Sequence, residues 1–122
     1  MFEISVEETF AAGHALRGYR GKCEKVHGHN YKVLVMLEGE RLDSAGLLLD
    51  FVELKRLLRA VIERLDHEFL NDVPPFDALN PSAENMAKYF YDEISQALPP
   101  SPASLSSVKI WETDTSTATY RP

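Results

Sequence analysis

The amino-acid sequence predicts an α+β fold: an antiparallel four-stranded sheet with two helices packed on one face. Three observations carry this. Residues alternate apolar and polar near both ends of the chain, two apolar stripes at helical spacing lie between, and proline pairs separate the segments. The order is strand, strand, helix, helix, strand, strand, and paired strands flanking a helical stretch favour this layering.

The first strand is expected over Phe2 to Phe10, where Phe2, Ile4 and Val6 alternate with Glu3, Ser5 and Glu7. Ala11 to Lys25, rich in glycine and charge, reads as a long loop with His14 at the end of the preceding strand. The second strand is expected over Tyr31 to Glu38, following directly from His27-Gly28-His29, and Gly39 to Gly46 holds turn residues. Asp50 with Glu53 three residues on resembles a capping box, and Leu54, Leu57, Leu58, Val61, Ile62 and Leu65 form one apolar stripe. After Pro74 and Pro75, Asn80 as N-cap with Pro81 at the first helical position starts the second helix. Its buried face is Ala83, Met86, Ala87, Phe90 and Ile94, and it ends near Leu98 before Pro99 and Pro100. Ser107 to Glu112 and the threonine-rich Thr115 to Tyr120 are the last two strands, with Val108 and Ile110 inward.

A chain of 122 residues is a single domain, residues 1–122, large enough for a core without staples. One cysteine excludes an internal disulfide framework, no signal-peptide pattern opens the chain, and no apolar run approaches a membrane span, so a cytoplasmic location is expected. A net charge of -6 argues against nucleic acid as a partner. Against that background Arg17, Arg20, Lys22 and Lys25 cluster between His14 and His27, either as solvated loop charges or as a positive rim for a small oligophosphate. Four strands also leave two open edges, which points to oligomerisation through the sheet.

The chemistry concentrates in the same stretch. His27 and His29, two apart on a strand, share a face, and His14 closes the set. Three neutral imidazoles with an open fourth position are the arrangement of a catalytic zinc site; the alternative reading of the spacing is a pair of surface or polar-face histidines. Cys23 stays open between zinc ligand, buried small residue and reactive thiol, although Lys22, Lys25 and a nearby dication would favour its thiolate. Asp66-His67 closes the first helix, either as a dipole-stabilised histidine or as an imidazole oriented by a carboxylate and partnering the thiol. Adjacent residues on a helix do not face each other, so direct contact between these two is not required. Glu112, beside Trp111, is a solvated edge residue or an acceptor for the amidine-like edge of a pterin or guanine.

Six motifs in order resemble one family: Phe10-Ala11-Ala12-Gly13-His14, Cys23 to Tyr31, Leu49-Asp50-Phe51, Leu65-Asp66-His67, Asn80 to Asn85 and Trp111-Glu112-Thr113. They are similar to the 6-pyruvoyltetrahydropterin synthase and 6-carboxytetrahydropterin synthase (QueD) family over nearly the whole chain. The C-x-x-x-H-G-H spacing of Cys23 to His29 resembles the bacterial carboxytetrahydropterin branch; the animal pyruvoyl enzymes have two more residues there. The resemblance implies a tunnelling fold whose subunits join sheets into a barrel, commonly a homohexamer of stacked trimers. It also implies that His14, His27 and His29 hold zinc, Cys23 is the base, Asp66 and His67 relay the proton, and Glu112 anchors the pterin and belongs to the same relay. The substrate implied is 7,8-dihydroneopterin triphosphate. The products implied are 6-carboxy-5,6,7,8-tetrahydropterin, acetaldehyde and triphosphate, on the route to queuosine.

Overall fold

A computed structural model describes residues 1–19, 21 and 25–122. Its elements follow the expected order: β1 (Phe2–His14), β2 (His27–Gly39), α1 (Phe51–Ile62), α2 (Ala83–Ala97), β3 (Ser104–Thr113) and β4 (Ser116–Tyr120). The strands form one antiparallel sheet in the order β1-β2-β3-β4. Both helices lie on one face, over a core that includes Val6, Phe10, Tyr31, Val33, Val35, Leu58, Phe90, Val108 and Ile110. No helix among the described residues is long and apolar enough to cross a membrane.

Both helices start on a side-chain cap. Asp50 accepts from the Val52 amide, and the α1 stripe of Leu54, Leu57, Leu58, Val61 and Ile62 is buried. The helix stops at Ile62, earlier than the stripe suggested, and Leu65 is buried from the turn that follows. The start of α2 is shifted from the Asn80-Pro81 expectation: the N-cap is Ser82, whose hydroxyl accepts from the Asn85 amide. Pro81 therefore lies outside the helix, and its carbonyl is free for a partner elsewhere.

The largest difference is in β1, which continues through Ala11-Ala12-Gly13 to His14 instead of turning into loop after Phe10. β2 likewise begins at His27, not Tyr31, so β1 and β2 pair along their full lengths, with His14 opposite His27 and Ala12 opposite His29. Alanine and glycine carry little pattern of their own; pairing extends the strand, and the tract 66–69 also holds its outer edge. The His67 amide donates to the Ala11 carbonyl (2.6 Å), the Gly13 amide donates to the Glu68 carbonyl (3.0 Å), and Gly13 and Phe69 form a parallel bridge.

Candidate metal centre and active site

Strand parity assembles the histidines. Antiparallel partners lie on the same face, and residues two apart return to it, so His14, His27, His29 and Tyr31 all face the helix side of the sheet. The ring centroids of the three histidines are 4.5, 5.0 and 4.8 Å apart. β3 adds Glu112 on the parity of Val108 and Ile110. It is the extra residue of a bulge, since Trp111 pairs with Thr117 and Thr113 with Ser116, and bulges commonly re-aim a side chain. The donor atoms of His14, His27, His29 and Glu112 all lie within 4.8 Å of one another.

Hydrogen bonds fix the imidazoles for coordination. Nδ1 of the fully buried His14 is 2.7 Å from the Pro81 carbonyl, and Nδ1 of His27 is 2.6 Å from the Lys25 carbonyl. A carbonyl only accepts, so each Nδ1 carries the hydrogen and each neutral ring presents a bare Nε2 lone pair. Those Nε2 atoms face each other at 2.9 Å. Two lone pairs at that separation repel unless a proton or a cation lies with them. His29 Nε2 is buried without a hydrogen-bond partner, although the Glu112 carboxylate is 3.3 Å away. Burial, partly opposed by Glu112, holds both His14 and His29 below the ordinary imidazole range, so they are neutral near pH 7. Neutral imidazoles with lone pairs converging beside a carboxylate suit a divalent metal, and nitrogen donors suit zinc.

The other residues singled out in the sequence fall into separate groups. Asp66 and His67 follow α1 in a turn, on the outer edge of β1, and are not part of the His-Glu cluster. Adjacency does not keep them apart, because the helix has already ended: the Asp66 Oδ1 to His67 Nδ1 distance is 3.0 Å, and His67 takes the left-handed φ of 61°. Asp66 also accepts from the Ala11 amide at 3.0 Å. That amide, followed by the His67 ring, holds its carboxyl below the usual carboxylate range. His67 is 82% exposed, and it borders the same open cavity of about 630 Å³ as His29, Gly13 and Gly28.

Arg17 does not join a positive rim. Its guanidinium donates to the backbone carbonyls of Phe76 (2.8 Å), Asn71 (3.3 Å) and Leu79 (3.4 Å). Lys25 is exposed, whereas Arg20, Lys22 and Cys23 lie outside the described residues, so the thiol and most of the rim have no structural description.

Several contributors were not read from the sequence. The Tyr31 hydroxyl is 3.1 Å from His14 Nδ1; its position two residues beyond His29 was the available signal. Asn71 and Asn80 each clasp the backbone just after His14. The Asn71 side chain pairs with the Ala15 amide and carbonyl at 2.9 and 2.8 Å, and the Asn80 side chain with those of Arg17 at 2.8 and 2.9 Å. No local pattern announces a clasp across more than fifty residues.

With this geometry established, comparison decides the family. The family model described as 6-pyruvoyl tetrahydropterin synthase matches residues 3–122. The chain belongs to the 6-pyruvoyl tetrahydropterin synthase family. Its relatives within the family carry two names. A Haemophilus influenzae 6-carboxy-5,6,7,8-tetrahydropterin synthase is 31% identical over 143 residues, covering 99% of each chain. The Homo sapiens 6-pyruvoyl tetrahydrobiopterin synthase is 37% identical over 105 residues, covering 83% of this chain and 71% of that protein. Among solved structures, the Caenorhabditis elegans 6-pyruvoyl tetrahydropterin synthase superposes with a TM-score of 0.90 at 29% identity, covering 99% of this chain and 95% of that one. The sheet and helices thus have the tunnelling fold of this pterin synthase family.

Proposed function

We propose that this pterin synthase is a zinc-dependent carbon-carbon lyase. It takes 7,8-dihydroneopterin triphosphate and water to 6-carboxy-5,6,7,8-tetrahydropterin, acetaldehyde and triphosphate, in the cytoplasm and on the route to queuosine. The observation that carries the reading is the convergence of His14, His27 and His29 on the helix side of β1 and β2, where the bare Nε2 atoms of His14 and His27 face each other at 2.9 Å and His29 Nε2 has no hydrogen-bond partner. These three side chains would hold the zinc. When bound, the metal supplies Lewis acidity toward substrate hydroxyl or carbonyl oxygen.

The remaining work belongs to the chain's own groups. Cys23, as thiolate, would remove the carbon-bound proton of the substrate side chain. The Asp66 carboxylate orients the exposed His67 ring, a pair suited to passing a proton to or from the thiol. Asp66 and His67 lie outside the His-Glu cluster, with His67 on the cavity that His29 also borders, and a neighbouring subunit in a homohexamer would complete the site. Glu112 would receive the amino and ring N–H of the pterin through its two oxygens. The Cys23 to His27 spacing favours the carboxytetrahydropterin product. The 37% identity to the human enzyme favours a second reading, in which the same site stops at 6-pyruvoyltetrahydropterin.

Incubating the zinc-loaded protein with 7,8-dihydroneopterin triphosphate and measuring acetaldehyde separates the two. Release of triphosphate without acetaldehyde would refute the lyase reading. Cys23→Ala should abolish turnover while zinc remains bound; unchanged turnover would remove the thiol from the mechanism.

A further inference from the structure

The carboxylate of Glu112 has a second relationship in the site besides the one toward substrate. With zinc–ligand bonds of about 2.0–2.2 Å, neighbouring ligand atoms of a tetrahedral site lie about 3.3–3.6 Å apart. The Glu112 Oε1 to His29 Nε2 distance of 3.3 Å is of that size, whereas the His14 and His27 Nε2 atoms, 2.9 Å apart, stand closer than ligands of one metal would. All four donors fall within 4.8 Å of one another.

The 3.3 Å approach of Glu112 to His29 lacks the geometry of a hydrogen bond, so His29 Nε2 has no partner among protein groups. A carboxylate oxygen and an unpartnered imidazole nitrogen set side by side, neither bonding the other, are both supplied by one cation between them. The bulge at residue 112 also has a use here, since it departs from regular pairing at the residue whose side chain joins the cluster. Charge points the same way. Three imidazole ligands leave a dication uncompensated in a partly buried site, and one carboxylate halves that charge.

We propose that Glu112 is the fourth ligand of the metal in the substrate-free protein, and that substrate takes this position from it. The carboxylate so released is then available to the pterin edge. Occupation of the metal by substrate and presentation of its anchoring group thus become one event. The proposal rests on the reading of the cluster as a metal site; it does not depend on which product forms.

The test uses the full chain reconstituted with Co²⁺, as wild type, Glu112→Gln and Glu112→Asp. Electronic absorption reports the coordination sphere, chelator competition reports affinity, and circular dichroism confirms that each variant is folded. Without pterin, the Glu112→Gln d–d bands should differ from wild type. Its Co²⁺ affinity should fall at least as far as the roughly 10-fold that loss of an outer-shell partner can cost. Glu112→Asp, which keeps a carboxylate, should retain more of both. Adding 7,8-dihydroneopterin, which has no triphosphate to lose, should change the wild-type bands as substrate oxygen replaces the carboxylate. Superimposable pterin-free spectra with equal affinities in wild type and Glu112→Gln would overturn the proposal. Wild type that takes up no Co²⁺ would overturn it together with the metal reading, whereas the expected spectra without acetaldehyde release would overturn the lyase reading alone.

Discussion

Removing the Asn71 amide tests whether the site is built from behind. In Asn71→Ala two partly buried hydrogen bonds to Ala15 are lost, at 2.9 and 2.8 Å, one as acceptor and one as donor. At about 0.5–1.5 kcal/mol net for each bond, the expected loss is about 1–3 kcal/mol. An unfolding entropy of about 2.1 cal/mol/K per residue over 122 residues makes each kcal/mol worth about 4 °C, so Tm should fall by about 4–12 °C. The assay is urea and thermal unfolding of metal-free protein in chelator, because bound metal would add its own linked stabilisation. Asn71→Asp keeps the acceptor for the Ala15 amide and should recover part of the loss. Combined with Asn80→Ala, which frees Arg17 two residues further on, the effects should be sub-additive, since the first release already lets the segment move. A loss below about 0.5 kcal/mol, or strict additivity of the pair, would refute the idea that the two amides hold one segment in register.

Acid should weaken the metal-free protein. The His14 and His29 values lie below 6.5, mainly through burial, so the unfolded chain binds more protons in that interval. Their stabilising contribution is complete above about pH 6.5 and is lost as pH falls through the folded values; urea midpoints that do not change between about pH 7.5 and 5.5 would contradict this. Gly39→Ala should destabilise by about 1–3 kcal/mol, as typical for overpacking, since its Cβ would stand 2.6 Å from the Pro102 carbonyl oxygen and 2.7 Å from Leu48 Cδ2. A urea midpoint equal to wild type would show that the backbone there yields freely. His27→Ala should lose stoichiometric zinc by metal analysis, and retention would displace His27 from the ligand set.

What was legible in the sequence is what local pattern encodes. The helix stripes, the Asp50 cap and the inward Val108 and Ile110 all follow from spacing, and so does the shared face of His27 and His29. What was not legible depends on partners distant in sequence. Ala11 to His14 is strand because β2 and the 66–69 tract hold it, not because of its own residues. Ser82 displaces Asn80 as cap because the Asn80 side chain is taken by Arg17. The charge of Arg17 marked it for a phosphate rim, but its terminal guanidinium nitrogens donate to carbonyls of the 71–79 connection. Glu112 was legible in part, since alternation with Val108 and Ile110 gives its face, whereas its 3.3 Å approach to His29 depends on pairing with β2.

One oxygen atom, Asp66 Oδ1, accepts the Ala11 amide and also stands 3.0 Å from His67 Nδ1. The end of a strand's edge and the orientation of an imidazole are therefore governed at a single point. An alanine there would unfasten the sheet margin and untether the ring together, so lost turnover in such a variant would not by itself identify a proton carrier. Asparagine can keep the accepting oxygen while discarding the negative charge, which makes it the substitution that separates architecture from acid-base chemistry.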